Sequence, residues 1–283
     1  MYAIQVQQEQ PGRPLVWQES ADPVIGPDEV RVMIHATALN RADLAQRAGH
    51  YPPPPGAPDI LGLEMAGTVA EVGANVQQWR PGDPVCALLG GGGYAEAVAV
   101  HQEMLMPIPL GWSFEEAAAL PEVFTTAWLN LRREGGLQKG ERVLVHAAAS
   151  GVGTAALQLC RAWGNPTFAT VGSAEKARRC QELGAEECAD RHDGPWLAKV
   201  KAWGPVDVIL DPVGGEYLEP NILCLRSGGR LINIGLMGGG GGSLQLGLVL
   251  VKRLTIRGSV LRSRSDDEKT EILAGVRREV WPL

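Results

Sequence analysis

No CxxC pair occurs among the five cysteines, Cys86, Cys160, Cys180, Cys188 and Cys224, and their number is odd. That argues against a disulfide framework and against a structural zinc knuckle, and leaves the thiols as small buried apolar residues of a reducing compartment. The five histidines, His35, His50, His101, His146 and His192, show no HxH or HxxxH spacing and read as ordinary core or surface residues. Nothing approaches the run of apolar residues that a membrane span needs. The opening MYAIQVQQEQPGRP alternates like a strand and has neither a basic head nor an apolar signal core, so export is not expected and the cytoplasm is. Positive charge is in deficit, with a net charge of -6 and a pI near 5.5. A general attraction to nucleic acid or to an anionic membrane is therefore not expected, and any phosphate must be bound locally.

What is present is an ordinary globular composition, 45% hydrophobic and 20% charged, with a mean hydropathy of -0.04. A chain of 283 residues exceeds what one hydrophobic core comfortably fills, so two domains are expected. Up to about residue 120, short apolar runs such as EVRVMIHATAL, MAGTVAEVG and YAEAVAV are broken by PGD, GGGG and PPPP, the pattern of short strands joined by turns. From residue 121 onward the rhythm changes to strands alternating with helices. ERVLVHA, TFATVG, VDVILDPVGG, RLINIGLMGG and VKRLTIRGSV read as strands, with GVGTAALQLCRAWG, AEKARRCQELGA and YLEPNILCLRSGG as helices among them. Such alternation predicts βαβ units, a parallel sheet covered on both faces and a doubly wound nucleotide-binding layout. The boundaries expected are 1–120 and 121–283. The run Gly238 to Gly242 is the one low-complexity stretch and reads as a flexible loop after a strand.

The strand ERVLVHA runs straight into AAASGVGTAALQL, where Ala148, Ser150 and Gly153 hold the three small-residue positions of a dinucleotide fingerprint. A tight turn there brings backbone close to a pyrophosphate at a helix N-terminus, whose free amides and dipole favour an anion. Ser150, Gly151, Val152 and Gly153 are the expected phosphate contacts. The next strand lacks the acidic residue that grips the ribose hydroxyls of NAD and ends instead in Gly172 and Ser173, with Lys176 one turn on. Exchange of an acid for a hydroxyl and a cation suits a ribose phosphate, so NADPH is the expected cofactor, with Arg191 reaching the same phosphate from the adjacent strand. A solvated helix face of mixed charge, Glu175 included, is the alternative. Ligands of doubly wound sheets sit outside the carboxyl ends of the strands, which directs attention to Asp211 to Gly215, to Gly235, Leu236 and Met237, and to Val260, Leu261 and Arg262.

The combination of ALNRADLAQRAGHYPPPPGAPDILGLEMAGTVAEVG, AAALPE, HAAASGVGTAALQL, INIGLMGGG and VLRSR resembles the zinc-independent quinone oxidoreductases of the medium-chain dehydrogenase/reductase superfamily, from residue 3 to about 265. Within them it is closest to the subgroup of the tumour-suppressor-inducible quinone oxidoreductase. The resemblance implies an α/β protein with a β-rich GroES-like N-terminal domain and a doubly wound Rossmann domain. Its relatives continue for roughly fifty residues beyond this chain's last helix and return through the first domain, so a missing C-terminal return segment is expected, and with it a fragile first domain. Zinc-dependent relatives carry a Cys where this chain has Asn40 and a His where it has Leu63. A catalytic zinc needs at least three protein ligands, so no metal is expected, and Glu64 reads as a structural hydrogen-bond or ion-pair partner. The family analogy turns the nicotinamide of NADPH toward a pocket lined by Asn40, Tyr51 and the loop around Gly235 to Gly238. Tyr51 is then the candidate to hydrogen-bond substrate or cofactor, with Asn40 beside it. Each has a structural alternative, a ring packed on the proline turn for Tyr51 and a helix cap for Asn40. The implied reaction is reduction of a small-molecule quinone or activated enone by a homodimer. The alternatives are a 2-enoyl thioester reductase and an NADPH-binding protein with little turnover.

Overall fold

The computed structural model describes all residues, Met1–Leu283. Met1–Thr125 and Arg262–Pro282 form one compact unit, and Thr126–Leu261 form a second.

The first unit opens with the hairpin β1 (Tyr2–Val6) and β2 (Leu15–Glu19). Five further strands follow, β3 (Glu29–Thr37), β4 (Glu64–Val72), β5 (Pro84–Leu88), β6 (Ala97–His101) and β7 (Leu105–Pro107). They pair antiparallel in the order β6-β3-β4-β5-β7. Alternation in the sequence sets which face is covered: Val30 and Val32 of β3 point into a core shared with Met65, Val69, Val85, Val98, Val100 and Leu105. Helix α1 (Arg41–Arg47) begins at Asn40, whose extended backbone and N–H bond to Asp43 Oδ2 (2.7 Å) start the first turn. A capping box between Ser113 and Glu116 starts α2 (Phe114–Ala118), and the boundary between the units falls inside α3 (Pro121–Trp128).

In the second unit β8 (Val143–Val145), β9 (Thr167–Val171), β10 (Glu187–Asp190), β11 (Val206–Asp211), β12 (Leu225–Asn233) and β13 (Thr255–Gly258) form one sheet. Every pairing is parallel and the order is β10-β9-β8-β11-β12-β13. Numbered within this unit that order is 3-2-1-4-5-6, the doubly wound arrangement, and its direction reverses between β8 and β11. The strands β8, β9 and β11 are buried at every residue, as their unbroken apolar runs require of a sheet covered on both faces. The helices are α4 (Gly151–Trp163), α5 (Ala174–Leu183), α6 (Trp196–Trp203), α7 (Leu218–Cys224) and α8 (Leu246–Lys252). Trp196, Val200, Ile222 and Leu225 close a core with Leu144, Phe168, Ile209 and Leu231. No helix is long and apolar enough to cross a membrane.

The β-rich first part and the parallel second part thus stand as the sequence predicts, but the second boundary does not. Residues 262–282, expected in the second domain, pack with the first. Helix α9 (Asp266–Glu279), started by a Ser265–Glu268 capping box, buries Ile272, Leu273 and Val276. Its last turn is tied down where Arg277 Nη2 donates to the carbonyls of Glu103 (2.6 Å) and Leu105 (2.7 Å), and Trp281 Nε1 donates to the carbonyl of Pro107 (2.9 Å). The periodicity of α9 shows that one face is buried. It does not show against which unit.

Candidate active site

The carboxyl ends of β8 and β11 flank the point where the sheet reverses direction, and in this fold ligands bind outside such a point. Between β8 and α4 the chain turns through Ala147, a non-glycine residue with φ of 47°, in the left-handed region that L residues rarely adopt. Ser150 caps α4, its Oγ accepting from Gly153 N–H (3.2 Å), which leaves other first-turn amides open to an anion. Gly153 is required by close approach: a Cβ there would lie 2.5 Å from the carbonyl oxygen of Ala148. Ser150, Gly151, Val152 and Gly153 therefore lie together at the start of α4.

Gly172 and Ser173 follow β9, and Ser173 Oγ accepts from Lys176 N–H (3.3 Å) to start α5. Arg191 follows β10, and its Nε lies 3.4 Å from where a Cβ on Gly172 would stand. Arg191, His192, Val213, Gly214, Tyr217 and Gly238 line a cavity of about 320 Å3. Gly172 and Arg191 are thus brought together, whereas Lys176 is exposed on α5 and does not line that cavity. Arg178 and Arg179 both pair with Glu182, so the basic character of α5 is largely engaged along its own surface. Gly235, Leu236 and Met237 lie in the loop after β12. Met237 N–H donates to the carbonyl of Pro212 (3.2 Å) and Gly238 N–H to that of Val213 (2.7 Å), which joins the β11 and β12 loops.

Two buried residues stand behind these loops, Asp211, which the strand-end rule included, and His146, which read from sequence as an ordinary core or surface residue. Asp211 is 1% exposed, and its Oδ1 accepts from the N–H groups of Val213 (2.7 Å) and Gly214 (3.1 Å). Its Oδ2 accepts from Asn221 Nδ2 (3.0 Å), whose Oδ1 lies 2.7 Å from His146 Nε2. The other His146 nitrogen meets Thr170 Oγ1 at 2.9 Å, and the ring packs edge-on against Trp196 and Tyr217. Burial lowers the His146 pKa against the opposing pull of Asp211 and Asn221. A carboxylate two residues before Val213 could have been read as a turn clamp from the spacing DxV alone; the histidine pairing is long-range.

In the first unit the stretch ILGLEMAG enters β4. Gly62 has φ of 104°, and a Cβ there would lie 2.6 Å from Gly93 Cα, so only glycine fits. Glu64, 1% exposed, follows at the head of the strand. Its Oε1 accepts from Asn40 Nδ2 (2.7 Å) and its Oε2 from Glu122 N–H (2.8 Å). Burial pushes the Glu64 carboxyl up to about 7; the two hydrogen bonds pull the other way and the charge of Asp43 adds to the rise. Asp43 is buried and accepts from the Tyr94 hydroxyl (2.9 Å) and from Gly62 N–H (3.3 Å). Asn40 therefore starts α1, the structural role weighed for it, and its carboxamide is oriented by Glu64. Tyr51 is half-buried, and its phenol pKa is raised by burial and then by Glu122, with Arg262 opposing. Val260 and Leu261 follow β13, but the Arg262 side chain hydrogen-bonds Gly90, Gln46 and Tyr51 within the first unit.

The chain's residues do not fit a catalytic zinc. Near Glu64 the side chains are the Asn40 carboxamide, buried Leu63, the Asp43 carboxylate, whose oxygens accept from Tyr94 and Gly62, and the Cys86 thiol, which burial and then the Glu64 charge push up to about 12. No group of three His, Cys, Asp or Glu side chains converges anywhere in the structure.

Residues 26–110 match the alcohol dehydrogenase GroES-like domain, and residues 151–275 match the family described as zinc-binding dehydrogenase. The quinone oxidoreductase of Thermus thermophilus, whose structure has been determined with and without NADPH, is 34% identical. The match covers 100% of this chain and 87% of that one, with a TM-score of 0.82. The CurK enoyl reductase is 28% identical, with 99% of this chain and 83% of that one covered and a TM-score of 0.79. The human synaptic vesicle membrane protein VAT-1 homolog is 37% identical over 219 residues, 77% of this chain and 56% of that protein. The chain spans about half the length of some curated relatives it matches and a tenth or less of others. A GroES-like unit joined to a parallel dinucleotide-type sheet defines a class of oxidoreductase. The chain belongs to the medium-chain dehydrogenase/reductase superfamily, with quinone oxidoreductases among its structural neighbours.

Proposed function

We propose that the protein reduces quinones or activated enones with NADPH, without a metal. The observation that carries this reading is the start of α4, a Ser-capped, small-residue helix N-terminus at the reversal point of the parallel sheet. Ser150 to Gly153 would take the pyrophosphate. Gly172, Ser173, Lys176 and Arg191 would take the adenosine ribose and its phosphate, and the loops Gly235 to Met237 and Val260 to Leu261 the remainder. Two neighbours are NADPH-complexed quinone oxidoreductases, which supports the same cofactor. Bound NADPH supplies the hydride. A conjugated quinone delocalises the added electrons, so hydrogen bonds and positioning suffice where an alcohol would call for a Lewis acid. Tyr51 would donate its hydroxyl to the substrate carbonyl, and Asn40, held by Glu64, would present the free edge of its carboxamide.

A second reading, reduction of a 2-enoyl thioester, is favoured by the likeness to the CurK enoyl reductase and needs the same donor from Tyr51. Both are tested by following nicotinamide absorbance with NADPH or NADH against a panel of quinones, enones and enoyl thioesters. Quinone turnover with NADPH is expected. Turnover confined to enoyl thioesters would select the second reading, and cofactor binding without any turnover would sink both. Tyr51→Phe keeps the ring and removes one hydroxyl, so lower turnover with near-native melting is expected. Unchanged kinetics with a lowered melting temperature would assign Tyr51 to packing.

A further inference from the structure

Arg262 is 7% exposed, yet its four hydrogen bonds all end on uncharged oxygens. Nε and Nη2 both reach the Gly90 carbonyl (2.9 and 2.7 Å), Nη2 reaches Gln46 Oε1 (2.8 Å), and Nη1 reaches the Tyr51 carbonyl (3.3 Å). The guanidinium carbon also stands 5.2 Å from the centre of the Tyr51 ring. Burial lowers the Arg262 pKa, while Tyr51, Asp43 and Glu122 raise it from a distance without a direct ion pair. Burying a cation without a paired carboxylate is costly, and an apolar side chain would fill the same space more favourably. The charge itself therefore asks for a role. The segment it grips has few anchors of its own: His50 N–H reaches the Ala45 carbonyl and Pro54 accepts from Ala57, but Pro52, Pro53, Pro54 and Pro55 after Tyr51 have no backbone N–H to donate.

We propose that Arg262 is a positioning residue for Tyr51, its guanidinium fixing both the carbonyl and the ring so that the phenol is aimed and polarised as a hydrogen-bond donor. This rests on the reading that Tyr51 acts on a carbonyl substrate. A cation beside the ring stabilises negative charge that builds on the phenol oxygen and so strengthens its O–H as a donor to an oxygen that gains negative charge during reduction. Lysine reproduces the arrangement only in part, because it keeps the positive charge but lacks the planar fork that reaches Gly90, Gln46 and Tyr51 together.

The test is a double-mutant cycle on quinone reduction with NADPH, using Arg262→Gln, Tyr51→Phe and the pair, with Arg262→Lys beside them. Arg262→Gln should lower kcat by about tenfold or more, as for loss of one aimed donor, with NADPH affinity changed by only a few fold. The pair should be no worse than the poorer single variant, and Arg262→Lys should recover part of the loss. Multiplying losses in the pair, or Arg262→Lys no better than Arg262→Gln, would overturn the proposal. If Arg262→Gln does not fold, Arg262→Lys carries the same cycle. An activity-independent readout separates this inference from the functional reading. In protein labelled at the tyrosine phenol carbons, the Tyr51 resonance, assigned by its loss in Tyr51→Phe, should titrate at higher pH once the cation is removed. A shift without wild-type turnover would sink the function alone, and no shift would sink the inference.

Discussion

Glu64→Gln should flatten the pH dependence of stability in a way that the structure sizes. The Glu64 carboxyl is raised from 4.5 to about 7, chiefly because it is buried. The sign follows from which state holds the proton. Between pH 4.5 and 7 the folded protein keeps it and the unfolded chain does not, so the contribution is full below 4.5 and is lost as pH rises through 7. At about 1.4 kcal/mol per pH unit, the loss from pH 5 to pH 8 comes to about 2.5 kcal/mol. Glutamine cannot ionise, so this loss is absent in the variant. It also offers one acceptor where the carboxylate accepts from both Asn40 and Glu122, so the absolute stability of Glu64→Gln can move either way. The difference between the proteins removes that ambiguity: relative to wild type, Glu64→Gln should be more stable at pH 8 than at pH 5 by about 2.5 kcal/mol. Urea unfolding at both pH values measures it, and the infrared band of a protonated carboxyl, present at pH 5 and lost in the variant, identifies the group. Parallel pH dependence in the two proteins, or no such band, would refute the reasoning.

Lys176→Ala tests the ribose phosphate. Loss of one charge-assisted bond of about 1.5 to 3 kcal/mol should weaken NADPH by about tenfold or more and NADH little; equal loss in a fluorescence titration would give the lysine a structural role. Gly153→Val sets carbon against the backbone of Ala148, where even a Cβ would be 2.5 Å from the carbonyl oxygen, so α4 must shift. It should cost about 1 to 3 kcal/mol and more than tenfold in binding of either dinucleotide, and native binding by the variant would mean that the turn does not contact the cofactor.

The parallel sheet was legible because its information is local. Buried strands such as VLV and VDVILD are apolar without interruption, and the small residues of AAASGVG sit between a strand and a helix where they can only be a tight turn. Arg191 could be placed from strand order alone. What escaped depends on pairings far apart in the chain. Asn40 and Glu64 are 24 residues apart, His146 and Asn221 are 75 apart, and Arg262 lies 211 residues from Tyr51. No spacing rule reaches so far. Arg262 also illustrates a specific error of inference: position at the end of a strand located its backbone, but a long side chain chooses its partners independently of that row. Residues 262–282 escaped for a related reason, since amphipathicity names a buried face and not its partner.

The division of the chain has a consequence for synthesis. The second unit is continuous from Thr126 to Leu261, whereas the first also needs Arg262–Pro282, which leave the ribosome only after the whole of Thr126–Leu261. The carbonyls of Glu103 and Leu105 have no Arg277 to meet until then. The order of emergence therefore favours a second unit that folds while the older first unit waits with β7 uncovered, a contact of high sequence separation that closes only after Thr126–Leu261 have been made. During that interval the nascent chain is most open to chaperones and to strand pairing with a neighbour on the same polysome.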